Sequence, residues 1–185
     1  KEHLMAEAMK DAELTPMDGA MPISGDALET LAREYFLAEA VSERLTRMLP
    51  EDVLQALMRI PRLSLADSSA AMMAEASLGA ALDPQKFEVA AEYISEADSH
   101  RLRITRHAHG NVHISFLEAD LLESGDYNQL VRVGDLLRDL IGLGARAKRG
   151  DKETPVQNFR EAMDWFLAEV KRGMSIQRYK GLGEI

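Results

Sequence analysis

The residues that could act together chemically lie in the last eleven positions of the chain. Arg178 and Lys180 stand two positions apart, and Gly181 and Gly183 follow them. The residues of Met174–Tyr179 favour a strand over a helix, and residues two apart in a strand project from the same side. Glycine lets the backbone turn sharply and approach a ligand closely. The spacing therefore predicts two neighbouring cations beside a glycine loop, an arrangement suited to phosphate.

A second, weaker set of candidate phosphate contacts comes from the basic run that follows the glycines at 142 and 144. Its cations are Arg146, Lys148 and Arg149. We predict that this run is a mobile loop, and that it adds positive surface to the second half of the chain.

Three histidines, His107, His109 and His113, are close in sequence, and neutral imidazoles at such spacing can bind zinc. A closed zinc site needs a fourth ligand, and the chain has no cysteine. A three-residue hairpin turn at 109–111 would place His107 opposite His113. We favour a solvated polar sheet face here and predict no metal site, while a metal-dependent enzyme stays open as a third class.

Helical spacing of hydrophobic residues indicates several long amphipathic helices, and alternation after residue 86 indicates three antiparallel strands. The predicted helices span 25–48, 51–59, 68–78, 124–143 and a last one that ends at Gly173. Met48, Met72 and Met73 are expected in the core. The three-residue turn would pair Ile104 with Phe116. The predicted fold class is α+β, with several amphipathic helices and a small antiparallel sheet of about three strands.

Composition allows a buried core, since 46% of the 185 residues are hydrophobic. No apolar run approaches the ~18 residues needed to span a bilayer. The absence of cysteine excludes disulfides and fits a cytoplasmic protein. The net charge of −9 is uneven: residues 1–100 carry 8 Lys and Arg against 19 Asp and Glu, and residues 101–185 carry 14 against 12. Any contact with DNA is therefore expected in the second half.

The segment Gln177–Glu184 reads Gln-Arg-Tyr-Lys-Gly-Leu-Gly-Glu and resembles the signature octapeptide of the B subunit of bacterial DNA gyrase and related type II topoisomerases. The helix 159–173 before it and the Gly125-Asp126-Tyr127 helix are similar to that family too. Glu96-Ala97-Asp98-Ser99 superficially resembles the Glu-Gly-Asp-Ser of the TOPRIM metal-binding fold. The chain has no Asp-x-Asp pair, so we predict a polar hairpin turn there.

The resemblance implies the insertion found within the TOPRIM region of gyrase B from Gram-negative bacteria. The implied divisions are an N-terminal segment with turns at 1–24, the inserted accessory domain at 25–150, and a helix and strand at 151–185 that return to TOPRIM, or one continuous domain. Full-length gyrase B binds and hydrolyses ATP and holds Mg²⁺ in TOPRIM. Neither site is expected within this chain, and we predict no catalytic residue or cofactor here.

The partners implied are the rest of gyrase B, the A subunit in an A2B2 heterotetramer, and double-stranded DNA, with no membrane. The expected role is to brace the subunit, position DNA and couple DNA binding to ATP hydrolysis during negative supercoiling. The alternative is a stand-alone acidic protein–protein interaction module. Lys1 at the start, instead of methionine, favours a piece of a longer protein.

Overall fold

A computed structural model describes residues 2–183, and within them the fold is α+β, as predicted. It contains two small antiparallel sheets where the sequence indicated one. The chain divides into two compact units. Unit 2 is the continuous stretch 36–136, and unit 1 combines the described residues of 1–35 and 137–185. The division at 24 and 150 that the family resemblance implied stays a prediction.

Helices and strands contribute to both units. The helices are α1 Glu2–Met9, α2 Gly25–Leu45, α3 Glu51–Arg59, α4 Ser68–Ala81, α5 Ala119–Leu122, α6 Gly125–Leu137 and α7 Phe159–Gly183. The strands are β1 Ala12–Thr15, β2 Ile23–Ser24, β3 Phe87–Ile94, β4 Ser99–Ala108, β5 Asn111–Glu118, β6 Arg146–Arg149 and β7 Lys152–Pro155.

Unit 1 is built on a four-stranded sheet with the order β2-β1-β6-β7. Leu14 of β1 pairs with Ala147 of β6, and both side chains are fully buried. Strand β6 occupies most of the run predicted to be a mobile loop, so that prediction was wrong. The local sequence is polar, and only pairing with a strand more than 130 residues away gives it a buried position.

The first half of α7 supplies much of the core of unit 1. Asn158 caps the helix by accepting a hydrogen bond from the Glu161 backbone at 2.8 Å. Phe166 is fully buried, and the ring of Phe159 packs 5.4 Å from that of Tyr35. This stripe follows helical spacing and ends at Val170, which is 2% exposed.

Unit 2 contains the three-stranded sheet β3-β4-β5, whose existence was predicted. The strands run antiparallel, and β4 is central. Leu102, Ile104 and Leu117 lie on one face and are fully buried. Asp67 caps α4 by accepting a hydrogen bond from the Ala70 backbone at 2.7 Å. The side chain of Glu75 on α4 accepts a hydrogen bond from the backbone of Ala91 in β3.

The turn between β4 and β5 has two residues, so the predicted three-residue turn was wrong. Ala108 pairs with Asn111, and Ile104 therefore pairs with Ser115 instead of Phe116. His109 and Gly110 have φ values of 53° and 78°. Two positive φ values define the type I′ turn, whose twist matches that of the strands it joins. The turn geometry overrides the apolar alternation and leaves Val112 and Ile114 more than half exposed.

Three methionines expected in the core lie on the surface. Met48 is 52% exposed, because α2 ends at Leu45 and Leu49 takes the buried place after it. Met72 and Met73 are 67% and 71% exposed, because α4 packs through Ala71, Ala74 and Leu78. The packed face of α4 therefore lies on the side opposite these two methionines.

Candidate nucleic-acid interface

The segment with the strongest candidate residues is helical. Helix α7 continues through Gly173 and ends at Gly183, so the predicted strand at Met174–Tyr179 was wrong. Residues two apart on a helix lie about 200° apart around its axis. Arg178 and Lys180 therefore project from opposite sides of α7, instead of side by side. Glu184 and Ile185, at the end of the motif, lie outside the described residues.

The predicted glycine loop and the predicted end at Gly173 fail for the same physical reason. A glycine within a helix costs only about 1 kcal/mol relative to alanine, so a single one does not end it. Gly181 has nothing within 4 Å of the position where a Cβ would lie. Gly181 and Gly183 thus supply no turn around a ligand in this structure; the backbone at both is helical.

The second half of α7 leaves the core of unit 1 entirely. Every residue from 171 to 181 is exposed, whereas Val170 is buried. We call residues 171–183 the α7 extension. At a rise of about 1.5 Å per residue it is about 20 Å long.

The α7 extension is positively charged in a protein of net charge −9. Its cations are Lys171, Arg172, Arg178 and Lys180, and it contains no Asp or Glu. Arg172 pairs with Glu169 at 3.1 Å. Within residues 2–183, the other three cations make no ion pair. Free cations spread around a helix are suited to contact with phosphates.

The hydrophobic residues of the α7 extension do not form a stripe. Met174, Ile176 and Tyr179 are 42%, 51% and 81% exposed. Ile176 and Tyr179 are three positions apart and share one side of the helix, whereas Met174 lies on the opposite side. This pair is a smaller apolar face than that of a helix that docks in a hydrophobic groove through anchors at i, i+3, i+4 and i+7.

A buried carboxylate holds the point where the α7 extension leaves unit 1, which we call the root of the extension. Glu169 is 7% exposed, and it accepts Lys152 of β7 at 3.2 Å on one oxygen and Arg172 at 3.1 Å on the other. A glutamate near the end of an amphipathic helix is ordinarily solvated, so this burial is not expected from its residue type. One signal in the sequence could have indicated this role. The next four charged residues after Glu169 are all cations, so Glu169 is the acid next to them along the chain.

The second set of basic candidates is less available than predicted. Arg146 pairs with Glu153 at 3.2 Å. Arg149 lies on the packed face of the sheet, where its side chain donates to the backbone oxygen of Glu7 at 3.5 Å. Lys148 is exposed and makes no ion pair with a described residue. Lys148 is therefore the one of the three that is both exposed and without an ion pair among the described residues.

The predicted pairing of His107 opposite His113 was wrong. The observed register pairs His107 with Val112 and His113 with Arg106, so the imidazoles of His107 and His113 lie on opposite faces of the sheet. His109 occupies the turn. Among the described residues, no group of three or more His, Asp or Glu side chains is arranged to hold a metal ion.

The tetrapeptide Glu96–Ser99 forms the turn between β3 and β4 and the first residue of β4, as predicted. Asp98 has a positive φ of 45° and accepts a hydrogen bond from the Tyr93 hydroxyl at 2.7 Å. This bond raises the pKa of Tyr93 above its ordinary value of 10.0, with smaller contributions from desolvation and from the carboxylate charge.

Comparison with protein families decides the identity of the larger part of the chain. Residues 12–170 match the model of the DNA gyrase B subunit insert domain. The chain belongs to this family. Membership in the insert-domain family makes it part of the gyrase B subunit and so a component of a type II topoisomerase.

The matched range covers both sheets and the buried half of α7 and stops at the root of the α7 extension. The Gln177–Glu184 octapeptide thus lies outside it and is a separate resemblance to the same subunit. Within residues 2–183, no helix is both long enough and apolar enough to cross a membrane.

Proposed function

We propose that this insert domain is a non-catalytic part of gyrase B that braces the subunit and positions DNA through the α7 extension. The observation that carries the proposal is the exposed helix with four cations and no acid. It adjoins a domain that is otherwise strongly acidic. Since affinity for DNA comes mainly from phosphate neutralisation, this is the segment that duplex DNA would approach.

The root of the α7 extension supports the bracing part of the proposal. Helix α7 is embedded in unit 1 as far as Val170, and Lys152 and Arg172 hold Glu169 at the point of departure. A helix whose first half is packed transmits force at its exposed end to that core. We propose that this link lets DNA contact influence ATP hydrolysis elsewhere in the subunit during negative supercoiling.

The proposed partners are the remainder of gyrase B, the A subunit in an A2B2 assembly, and double-stranded DNA. ATP and Mg²⁺ would be held outside this chain, in a cytoplasmic enzyme. The runner-up, a stand-alone acidic interaction module, fits the acidity of unit 2. Unit 2 carries nine Lys and Arg against sixteen Asp and Glu, a net charge of −7.

The test is to replace Arg178 and Lys180 together by alanine in the complete B subunit, assembled with the A subunit. We expect DNA binding to weaken, and the slope of log affinity against log salt to fall by about 1–2, since each lost phosphate contact removes about 0.9. DNA-stimulated ATP hydrolysis and supercoiling should fall with it, while hydrolysis without DNA stays unchanged.

Gln177→Ala provides the matched control, because Gln177 is exposed on the same helix and uncharged. Equal DNA affinity and equal salt dependence for the double variant and the control would reject the role of the α7 extension. Loss of thermal stability in the double variant alone would indicate a structural role instead.

A further inference from the structure

The β4–β5 hairpin ends in a cluster of basic side chains that the proposed function does not use. We call this cluster the hairpin tip; its members are Lys86, Arg106, His107, His109 and His113. All five are exposed. Within the described residues, Lys86 and Arg106 make no ion pair. Lys86 and Arg106 are thus two unpaired cations within a unit of net charge −7, and a ligand of opposite charge would match them.

Backbone pairing brings these residues together from three strands. The His107 backbone N–H donates to the Lys86 carbonyl at 2.7 Å, which places Lys86 beside the end of β4. Arg106 lies between Phe87 of β3 and His113 of β5 in the sheet register. Arg106 and His113 share one face, His107 projects from the other, and His109 stands in the turn.

The shape of the hairpin tip suits insertion into a groove of duplex DNA. Strand β3 begins at Phe87, opposite Arg106, and the Lys86 carbonyl still bonds to His107, so the last rung, Ala108 with Asn111, and the turn are a two-stranded ribbon. Arg106, His107, Val112 and His113 in the two rungs before this ribbon are all exposed, so both faces of the sheet are uncovered at its base. A two-stranded β ribbon is one of the elements that the major groove of duplex DNA admits.

Acidic groups near the hairpin tip make its charge depend on its histidines. The carboxylate of Glu88 lies 3.8 Å from the His107 imidazole, and Asp83 precedes β3, with its side chain accepting a hydrogen bond from Gln85. Lys86 and Arg106 together balance these two acids. The helix packed on the sheet, α4, contributes Glu75, whose carboxylate already accepts from Ala91. The local charge therefore becomes positive as histidines take up protons.

We infer that the hairpin tip is a second contact for the phosphate backbone of duplex DNA, one that strengthens as its histidines become protonated. The inference rests on the proposed function in that DNA is the ligand, but it involves a different unit of the chain. Histidine is the side chain that ordinarily gains its charge between about pH 8 and pH 5. Binding of a polyanion favours the charged form and so draws protons to the site.

An acidic protein surface is the competing occupant. The geometry favours DNA, because the basic side chains surround the end of a ribbon on both faces, where a flat protein surface would contact only one. The apolar Val112 and Ile114 lie on the face of His107 and would be the centre of a protein contact. The experiment separates the two occupants.

The experiment compares two variants of the complete B subunit, assembled with the A subunit on duplex DNA. One carries Lys86→Gln with Arg106→Gln, and the other carries His107→Gln, His109→Gln and His113→Gln. Arg47→Gln is the matched control, because Arg47 is an exposed cation of the same unit without an ion pair among the described residues. DNA affinity is measured at pH 6, 7 and 8 over a range of salt concentrations.

We expect the Lys86/Arg106 variant to bind DNA roughly 5- to 10-fold more weakly per lost contact at 0.1 M salt, with a smaller salt slope. The histidine variant should match the wild type at pH 8 and lose most of the tightening that the wild type shows towards pH 6. Arg106→Lys, which keeps the charge, should retain affinity and serves if Arg106→Gln fails to fold.

A histidine variant that keeps the wild-type pH dependence would overturn the inference. So would an unchanged salt slope in the Lys86/Arg106 variant, or weaker binding of the A subunit with DNA affinity intact, which would assign the hairpin tip to a protein. If the hairpin-tip variants bind DNA like the wild type while the Arg178/Lys180 variant binds it more weakly, the proposed function remains supported. If neither set of variants changes DNA binding, both the proposed function and this inference are rejected.

Discussion

At the scale of single residues, Tyr127 shows how a buried polar group is accommodated. Its side chain is fully buried, and its hydroxyl accepts a hydrogen bond from the Leu63 backbone N–H at 2.7 Å. The Arg62 guanidinium lies 5.5 Å from the ring centroid. Burial raises the pKa of Tyr127 above its ordinary value of 10.0, although the Leu63 hydrogen bond and Arg62 act in the other direction.

Tyr127→Phe should lower the free energy of unfolding by about 1–3 kcal/mol, because it leaves the buried N–H of Leu63 without an acceptor. In the wild type, the Tyr127 hydroxyl holds its proton more tightly in the folded state than in the unfolded state. Its contribution to the free energy of unfolding is therefore complete below the unfolded-state pKa and is lost as the pH rises through the folded-state pKa. Urea unfolding between pH 8 and 11 should therefore show a steeper alkaline loss in the wild type than in Tyr127→Phe.

Tyr93→Phe is the control for that measurement, since Tyr93 is 55% exposed and its hydroxyl bonds only to the surface residue Asp98. We expect its stability to stay within about 0.5 kcal/mol of the wild type. An equal effect of the two substitutions would show that burial of Tyr127 does not govern the difference.

Single-residue signals were the most predictable part of the molecule. Asp67 and Asn158 cap the helices that follow them, because a cap depends on residues within one turn. The hydrogen bond between Leu63 and Tyr127 spans 64 positions, and no local pattern indicates it. The same holds for Glu169, which looks like any other helical acid until Lys152 of β7 is placed beside it.

At the scale of elements, α7 combines a packed half with an exposed half, and Glu169 lies at their junction. Its carboxylate is buried between two cations that are each 57% exposed. Removing the charge of Glu169 leaves both cations solvated. The loss in free energy of unfolding is therefore smaller than the roughly 3–5 kcal/mol expected for breaking a fully buried pair.

Glu169→Gln should lower the free energy of unfolding by about 1–2 kcal/mol, because it removes both ion pairs at a buried site. Amide hydrogen exchange should speed up in the residues after 170, since the root of the α7 extension is loosened. Glu153→Gln is the matched comparison. It removes the exposed pair with Arg146, and we expect it to cost less than about 1 kcal/mol. Equal losses from the two substitutions would contradict the anchoring role of Glu169.

Element existence was predicted better than element ends and registers. Helical spacing located α3 and α4, and alternation located β3, β4 and β5. The register of β4 against β5 failed because a His-Gly turn of two residues decides it, and the apolar alternation of β5 favoured the wrong face. The end of α7 failed because Gly173 was treated as a stop in a sequence that otherwise suits a helix.

At the scale of the whole molecule, the two units differ in how the chain builds them. Unit 2 is one continuous stretch, while unit 1 joins two separate stretches through the pairing of β1 with β6. The sequence indicated the three-stranded sheet, whose strands follow each other directly. It did not indicate the four-stranded sheet, because Leu14 and Ala147 meet only in the folded chain.

The discontinuity of unit 1 determines the order in which the chain can acquire structure during synthesis. All of unit 2 has been synthesised before the ribosome adds β6, whereas β1 waits for a partner made more than 130 residues later. Closing that long loop is slow, and domains made of contiguous sequence fold as they emerge. We expect pulse-labelled hydrogen exchange during refolding to protect β3 and β4 before β1. Simultaneous protection of Leu14 and Ile104 would show that the units fold as one, and earlier protection of Leu14 would reverse the order. If the order holds, a nascent chain that has released residues up to 136 from the ribosome already carries a folded hairpin with its histidines, while the part of α7 that contains Arg178 and Lys180 has yet to emerge.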